Sequence, residues 1–165
     1  MRYPTLAMAP ILLGLLSACG ATEDPATVLE AVRLTEKAHH EAISARDLDG
    51  AVRVYAADAA IMALDGAKAT GRDAIGDSYE RLLADQGLSL EVVQGPGWGA
   101  SSGDLAVTTY SGTLTRTDPA SGAAISVPVE NKTVWARANG APWQIASEHT
   151  ILLPASAPAP LPEDS

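Results

Sequence analysis

Apolar residues in the first half of the chain recur at the spacing of α-helices, about 100° apart per residue. The first helical stripe consists of Val28, Val32, His39 and Ile43, with Leu29 and Glu36 beside it. A second helix is predicted after Asp47 or Asp49, either of which can cap it, with apolar positions at Val52, Tyr55 and Ala56. A third helix is predicted from Ile75, Tyr79, Leu82 and Leu83.

The pattern changes from Leu88 onward, where β-branched and aromatic residues form short runs between turn sequences such as "TDPASG" and "RANGAP". The predicted strands cover residues 88–94, 104–116, 124–138 and 142–153. Helices followed by an antiparallel meander predict an α+β domain with the helices on one face of the sheet.

The last predicted strand alternates between apolar and polar residues. One face carries Trp143, Ile145, His149 and Ile151, and the other carries Glu148. Because side chains alternate along a strand, His149 is expected to face the helices and Glu148 the solvent or a dimer partner. On the first helix His40 lies about 100° from His39, which predicts a surface or flanking position for His40.

The N-terminal residues 1–18 have the composition of a secretory signal. Arg2 is followed by an apolar run from Leu6 to Leu16, and Ser17 and Ala18 are small. The run of 11 residues is shorter than the roughly 20 that cross a bilayer as a helix. Residues 1–18 therefore indicate a cleaved signal peptide.

Cys19 is the only cysteine of the chain and directly follows this apolar run. The sequence Leu16–Cys19 resembles the lipobox of bacterial lipoproteins. The resemblance implies that Cys19 becomes the mature N-terminus and carries fatty acyl chains such as palmitate. It also implies a protein of the cell envelope, anchored in the outer membrane and facing the periplasm. The alternative is an ordinary signal peptide with an incidental cysteine.

The remaining chain divides into a lipidated tether (19–26), one domain (27–153) and a Pro/Ala-rich tail (154–165) that is expected to be disordered. Without residues 1–18, ten basic and twenty acidic residues remain. An acidic domain with no basic patch repels phosphate backbones, so nucleic acid is not an expected partner. The three histidines have no metal-ligand spacing, and no cofactor motif is present.

Two stretches resemble the nuclear transport factor 2-like superfamily, which includes ketosteroid isomerases and SnoaL-like domains. They are "RDLDGAVRVYAADAAIMALDGAKATGRDAIGDSY" and "ENKTVWARANGAPWQIASEHT". The resemblance implies a cone, in which a curved sheet wraps around a long helix and a pocket opens at one end. Because many members pair through the outer sheet face, it also implies a homodimer. Tyr110 and Leu114 alternate with threonine and serine along strand 104–116, which is compatible with an interface.

The isomerase chemistry does not carry over residue by residue. Aligned on "DLDG", the general-base aspartate of the isomerases falls on Ala63 and their helix-1 tyrosine falls on His39. A second oxyanion donor falls near Val134. Asp65 lies two residues beyond the base position and is a substitute candidate. Proton abstraction needs a base within reach of the substrate, so ketosteroid isomerisation is not expected.

Two functions remain open at this point. The first is a non-catalytic module that binds a small apolar ligand or a protein partner. Its candidate ligand-binding residues are His39, Tyr55, Tyr110, Trp135 and His149. The second is an enzyme of the isomerase or cyclase type that uses His39 with His149 or Asp65 for proton transfer. In both, His39 and His149 are expected to project into one cavity.

Overall fold

The computed structural model describes residues 22–62, 64, 66–138 and 140–153. Cys19, Ala63, Asp65, the predicted signal peptide and the predicted tail lie outside the described residues. The helices are α1 (Pro25–Ser44), α2 (Leu48–Arg53) and α3 (Arg72–Leu83). The strands are β1 (Tyr55–Met62), β2 (Lys68–Thr70), β3 (Ser89–Gly99), β4 (Leu105–Thr117), β5 (Ala124–Ala136) and β6 (Gln144–Leu152). Among the helices of these ranges, none combines the length and hydropathy of a membrane span.

Helix α1 begins at Pro25, two residues inside the segment predicted as a tether. Asp24 caps it through a hydrogen bond from the Ala26 N–H, and proline is favourable at this first position because its missing N–H would have no partner there. The helix buries one stripe, made of Val28, Val32, Glu36, His39 and Ile43. The predicted stripe is therefore confirmed, and Glu36 belongs to it.

Six strands form one mixed sheet in the order β2-β1-β6-β5-β4-β3. Strands β3 to β6 form the predicted antiparallel meander. The predicted end of the first of these strands at residue 94 is wrong, because β3 continues to Gly99 past an irregularity between Gln94 and Gly97. Strand β1 pairs in parallel with β6, and the short β2 pairs with β1 at the sheet edge. The helices and the concave face of the sheet enclose the core, so the predicted α+β class is confirmed.

The prediction that Tyr55 belongs to a helix is wrong, because Tyr55 opens β1. Helix α2, which Asp47 caps, ends at Arg53. The N–H of Ile145 in β6 then donates to the carbonyl of Val54, and the guanidinium of Arg72 donates twice to the carbonyl of Tyr55. Pairing with a distant strand overrides the local helical pattern at this position.

A β-bulge in β6 inverts the predicted alternation of this strand. Val134 of β5 pairs with Ser147, whereas Trp135 pairs with Ile145, so Ala146 is an extra residue in β6. Ile145 is buried before the bulge, and Glu148 is buried after it. The expected orientations are therefore wrong: His149 is exposed on the outer face and Glu148 points inward.

Candidate functional site

A cavity of about 660 Å³, here called the cone cavity, lies between the concave face of the sheet and helices α1 and α3. Its volume is within the range of small-molecule pockets. Most of its wall is apolar. The apolar wall includes Ile43, Ile61, Leu82, Leu88, Leu90, Leu114 and Val129.

Polar side chains converge at one end of the cone cavity around the carboxyl group of Glu148. The hydroxyl of Tyr55 donates a hydrogen bond to Glu148 Oε2, and the amide of Asn131 donates to Oε1 at 3.0 Å. The same amide donates to Thr150 Oγ1 at 2.8 Å. Thr133 donates to Asn131 Oδ1 at 2.8 Å, which orients the amide. Among the described residues, each oxygen of Glu148 thus has one donor, which leaves a second lone pair for another.

Behind Glu148 the hydrogen-bonded chain continues away from the cavity. The hydroxyls of Tyr55 and Tyr79 are 2.8 Å apart, and the hydroxyl of Tyr79 lies 3.3 Å from His39 Nε2. The rings of His39, Tyr55 and Tyr79 also pack against each other at centroid distances of 5.7–5.9 Å. Glu148 and Tyr79 border the cone cavity, whereas His39 and Tyr55 support them from the core.

Burial sets the protonation states of the side chains in this hydrogen-bonded series. Desolvation raises the pKa of Glu148 above its usual 4.5, although the hydrogen bonds from Tyr55 and Asn131 act in the opposite direction. Desolvation and the nearby Glu148 carboxylate raise the pKa values of Tyr55 and Tyr79. Desolvation lowers the pKa of His39 to about 4, and the backbone of Ala51 offsets this only in part. Near neutral pH His39 is therefore an uncharged imidazole.

His40, and not His39, borders the cone cavity. Its ring meets that of Tyr110 edge-on, with a centroid distance of 5.1 Å. Burial and, to a smaller extent, the adjacent His39 lower its pKa to about 4, although the nearby Glu148 acts in the opposite direction. His40 lies on the flank of α1, as predicted, and the cone packs this flank against β4, which brings the ring to the cavity. Near neutral pH His40 offers the cavity one donor and one acceptor without a charge.

Charged side chains occupy the other end of the cone cavity, where β4 ends beside the loop after α3. Asp85 of that loop accepts hydrogen bonds from the N–H and the hydroxyl of Thr117, both at 2.7 Å. The guanidinium groups of Arg81 and Arg116 also line this end. The Nε atom of Arg116 is buried and has no hydrogen-bond partner among the described residues.

A second buried carboxyl group lies apart from the cavity. The hydroxyl of Thr108 donates to Glu36 Oε1 at 2.5 Å, and the indole N–H of Trp135 donates to Thr108 Oγ1 at 2.9 Å. Desolvation raises the pKa of Glu36, while Thr108 and Arg33 lower it. Trp135 is fully buried in this group and does not line the cone cavity, so its predicted place in the wall is wrong.

The structure brings together only part of the predicted site. Tyr110 lines the cavity, and Tyr55 and His39 belong to the chain behind it. His149 lies on the opposite side of the sheet, so the predicted pairing of the two histidines in one cavity is wrong. Sequence reasoning missed Glu148, because no residue near Ala146 marks the bulge. In the described part of the chain, no cluster of His, Cys, Asp and Glu has the arrangement of a metal site.

Comparisons with known proteins agree with this architecture. A ketosteroid isomerase-like protein from Erwinia carotovora atroseptica is 18% identical, with a TM-score of 0.68 over 77% of this chain and 97% of that one. A nuclear transport factor 2-like protein of unknown function from Pseudomonas putida is 23% identical, with a TM-score of 0.64 over 76% and 86%. An uncharacterised protein with a cystatin-like fold from Caulobacter vibrioides is 13% identical, with a TM-score of 0.66 over 78% and 91%. At these identities the likeness shows the fold alone.

A sequence search of the curated proteins found no match. The SnoaL-like domain family matches residues 37–145, which is more than half of the chain. The matched range includes α2, α3, strands β1 to β5 and the start of β6, which together form most of the wall of the cone cavity. The chain therefore belongs to the SnoaL-like domain family and has the nuclear transport factor 2-like fold.

Proposed function

We propose that this SnoaL-like domain binds a small, largely apolar molecule in the cone cavity without transforming it. The observation that carries the proposal is the cavity itself, with about 660 Å³ of space, an apolar wall and a few convergent polar groups. Ligand sites typically have this composition, because apolar walls supply affinity and a few polar groups supply orientation. His40 and Tyr110 suit a hydroxyl or carbonyl group on the ligand.

Binding of N-phenyl-1-naphthylamine, a neutral apolar dye that fluoresces when it leaves water, tests this proposal. Leu82 lines the cavity on α3 and is partly exposed, so Leu82→Trp fills the space without entering the tight core. We expect the wild-type chain to bind the dye and Leu82→Trp to bind it at least tenfold more weakly. Leu34→Trp is the matched control, because Leu34 is exposed on α1 outside the cone cavity. Equal dye binding by both variants would contradict the proposal.

Catalysis is the second candidate function, and Glu148 is the observation that favours it. A cavity-facing carboxyl group whose pKa is raised by burial is suited to general acid–base chemistry near neutral pH. Tyr55 and Asn131 hold it in one orientation. The predicted pair of His39 with His149 does not support catalysis, since these side chains lie on different sides of the sheet.

Deuterium incorporation at the α-carbons of 2-decanone in D₂O, followed by NMR, separates the two functions. If the domain only binds, wild-type protein and Glu148→Gln leave the exchange rate at the buffer value. Exchange that depends on Glu148 would replace the binding proposal with an enzymatic one. Glu36→Gln is the matched control for a carboxyl group outside the cavity.

We also propose that the domain is tethered to the cell envelope through a lipid on Cys19. The support is the lipobox-like sequence Leu16–Cys19 after an apolar run of 11 residues. Intact mass of protein extracted from membranes is expected to match a chain that starts at Cys19 and carries acyl chains. A chain that starts at residue 20 or later, or an unmodified Cys19, would contradict this.

Pairing of two domains through the outer face of the sheet is a further part of the proposal. Val93 and Trp98 of β3 are 68% and 54% exposed, and Ile151 of β6 also lies on the outer face. Apolar side chains of this size, exposed across one sheet face, favour an interface. Light scattering on the chain from residue 20 onward is expected to give a dimer. Trp98→Lys should then shift it towards monomer, and a wild-type monomer would contradict the pairing.

A further inference from the structure

Arg116 occupies an unusual environment at the charged end of the cone cavity. It lies on the inner face of β4, two residues beyond the buried Leu114, and its side chain lines the cavity. Its buried Nε atom has no hydrogen-bond partner among the described residues. A buried N–H donor without a partner in the protein can donate to a polar group of a ligand that enters the cavity.

The acidic side chains near Arg116 accept hydrogen bonds from other groups, although the charge of Arg116 adds to the effect of Ser121 and Ala120 in lowering the pKa of Asp118. Asp85 accepts hydrogen bonds from Thr117 and from the N–H of Gly87 at 2.8 Å. Asp118 accepts from the hydroxyl of Ser121 at 2.6 Å and from the N–H of Ala120 at 3.1 Å. Within the described ranges, neither Arg116 nor the neighbouring Arg81 forms an ion pair. Arg81 donates one N–H to Ser78 Oγ at 3.3 Å, so Arg116 is the guanidinium group at this end that is open to an anion.

The two ends of the cone cavity are well separated along β4. Tyr110 stands at the end near Glu148, and Arg116 follows six residues later. Six residues of extended strand correspond to about 20 Å. The wall between them is apolar, with Leu90, Leu114 and Val129 on the concave face. This arrangement fits an elongated apolar body with one charged end.

Resting on the proposed function, we propose that the ligand is an elongated carboxylic acid whose carboxylate binds Arg116 and whose apolar body extends towards Glu148. The guanidinium presents parallel N–H groups that match the two oxygens of a carboxylate. The reverse orientation would place the anion beside the buried carboxyl group of Glu148, where it has no cation to offset its desolvation. Arg81 also lines the cavity and adds positive charge.

Displacement of N-phenyl-1-naphthylamine by decanoate and by 1-decanol at pH 7.5 tests the inference, because the two compounds share a chain length and differ in charge. We expect decanoate to bind at least tenfold more tightly than 1-decanol. Arg116→Gln should remove this preference, because it should weaken decanoate far more than 1-decanol, and Arg116→Lys should restore part of it. Arg53→Gln, an exposed residue at the end of α2 that does not line the cavity, is the charge-matched control and should keep the preference.

The possible failures are distinguishable. If the dye binds but decanoate shows no preference over 1-decanol, or if Arg116→Gln retains the preference, the inference is overturned and the proposed function stands. If neither the dye nor either compound binds to the folded chain, both are overturned. Decyl phosphate is included as a third compound, and binding tighter than that of decanoate would overturn the assignment of a carboxylate.

Discussion

Glu36 and Glu148 are buried carboxyl groups in the same domain, and each accepts a hydrogen bond from a hydroxyl group, but only Glu148 borders a cavity. Glu36 on α1 is enclosed by Thr108 and Trp135. Glu148 on β6 is held by Tyr55 and Asn131 at the edge of the cone cavity. Burial raises the pKa of both groups.

The difference shows that a shifted pKa does not by itself identify a functional residue. Both carboxyl groups are desolvated, and desolvation follows from burial of any kind. Access to a space that can hold a ligand separates Glu148 from Glu36. Substitutions at the two groups therefore control for each other. A change at Glu36 should affect stability alone, whereas a change at Glu148 should affect both stability and ligand binding.

The largest effect on this comparison is expected from a matched pair of threonine substitutions. Thr108→Val removes the donor to Glu36 and the acceptor of Trp135, so two buried groups lose their partners. We expect it to lower the free energy of unfolding by roughly 2–4 kcal/mol. Thr150→Val removes an acceptor from Asn131 beside the cavity, where water can replace it, and should cost less than about 1 kcal/mol.

Urea unfolding at pH 7 measures both values. If Thr150→Val proves as costly as Thr108→Val, the region around Glu148 is as closed to water as the region around Glu36, and the comparison fails.

A second effect concerns acid stability through His39. Its folded-state pKa of about 4 is below the ordinary 6.5, so the unfolded chain binds a proton more readily. The stability that depends on neutral His39 is present above pH 6.5 and is lost as the pH falls towards 4. At pH 5 this loss is about 2 kcal/mol. His39→Gln should reduce the slope of the profile between pH 6.5 and 4 in urea unfolding and leave the part that His40 contributes. An unchanged slope would show that His39 is solvated.

His40 extends the comparison to an adjacent histidine, since His40 borders the cavity and His39 does not. We expect imidazole NMR signals of His40 to shift on binding of N-phenyl-1-naphthylamine, with smaller changes at His39. A larger shift at His39 than at His40 would contradict this expectation, because it would place the dye on the His39 side of Tyr79 and not in the cone cavity.

The smallest effect is expected from replacing each carboxyl group by an amide. Because burial raises both folded-state pKa values above 4.5, the folded chain retains protons that the unfolded chain releases. The stability that depends on neutral Glu36 and Glu148 is present below pH 4.5 and is lost as the pH rises through the folded-state pKa values. Glu36→Gln and Glu148→Gln should each reduce this loss.

Only Glu148→Gln should also alter the pH dependence of dye binding, because ionisation of Glu148 places a charge beside the apolar ligand. Dye titrations from pH 5 to 8 with both variants check this. A change in dye binding with Glu36→Gln would remove the distinction between the enclosed and the cavity-facing carboxyl group.

Helix α1 and the meander were predictable because their signals are local. The spacing of Val28, Val32, His39 and Ile43 predicts the buried face of α1 from one segment alone. Turn sequences bound the strands β4 to β6 in the same way, whereas β3 continues through the turn-like residues 95–99 beyond its predicted end at 94. The two superfamily-like stretches predict the cone. Among the predicted site residues, Tyr110 does line the cone cavity, because the side chains of β4 alternate between the two faces without a bulge in its pairing with β5.

The sequence by itself determined the fold class, the family, the buried face of α1 and the meander, whereas β1, which also lines the cone cavity, was not predicted as a strand. Tertiary structure decided which side of β6 faces the cavity, because the extra residue Ala146 exists only in the pairing of β6 with β5. A shift of one residue moves every later side chain to the other face, so Glu148 and not His149 faces the cavity. It also decided that Trp135 packs against Thr108 instead of a ligand, since burial depends on contacts between segments far apart in the chain.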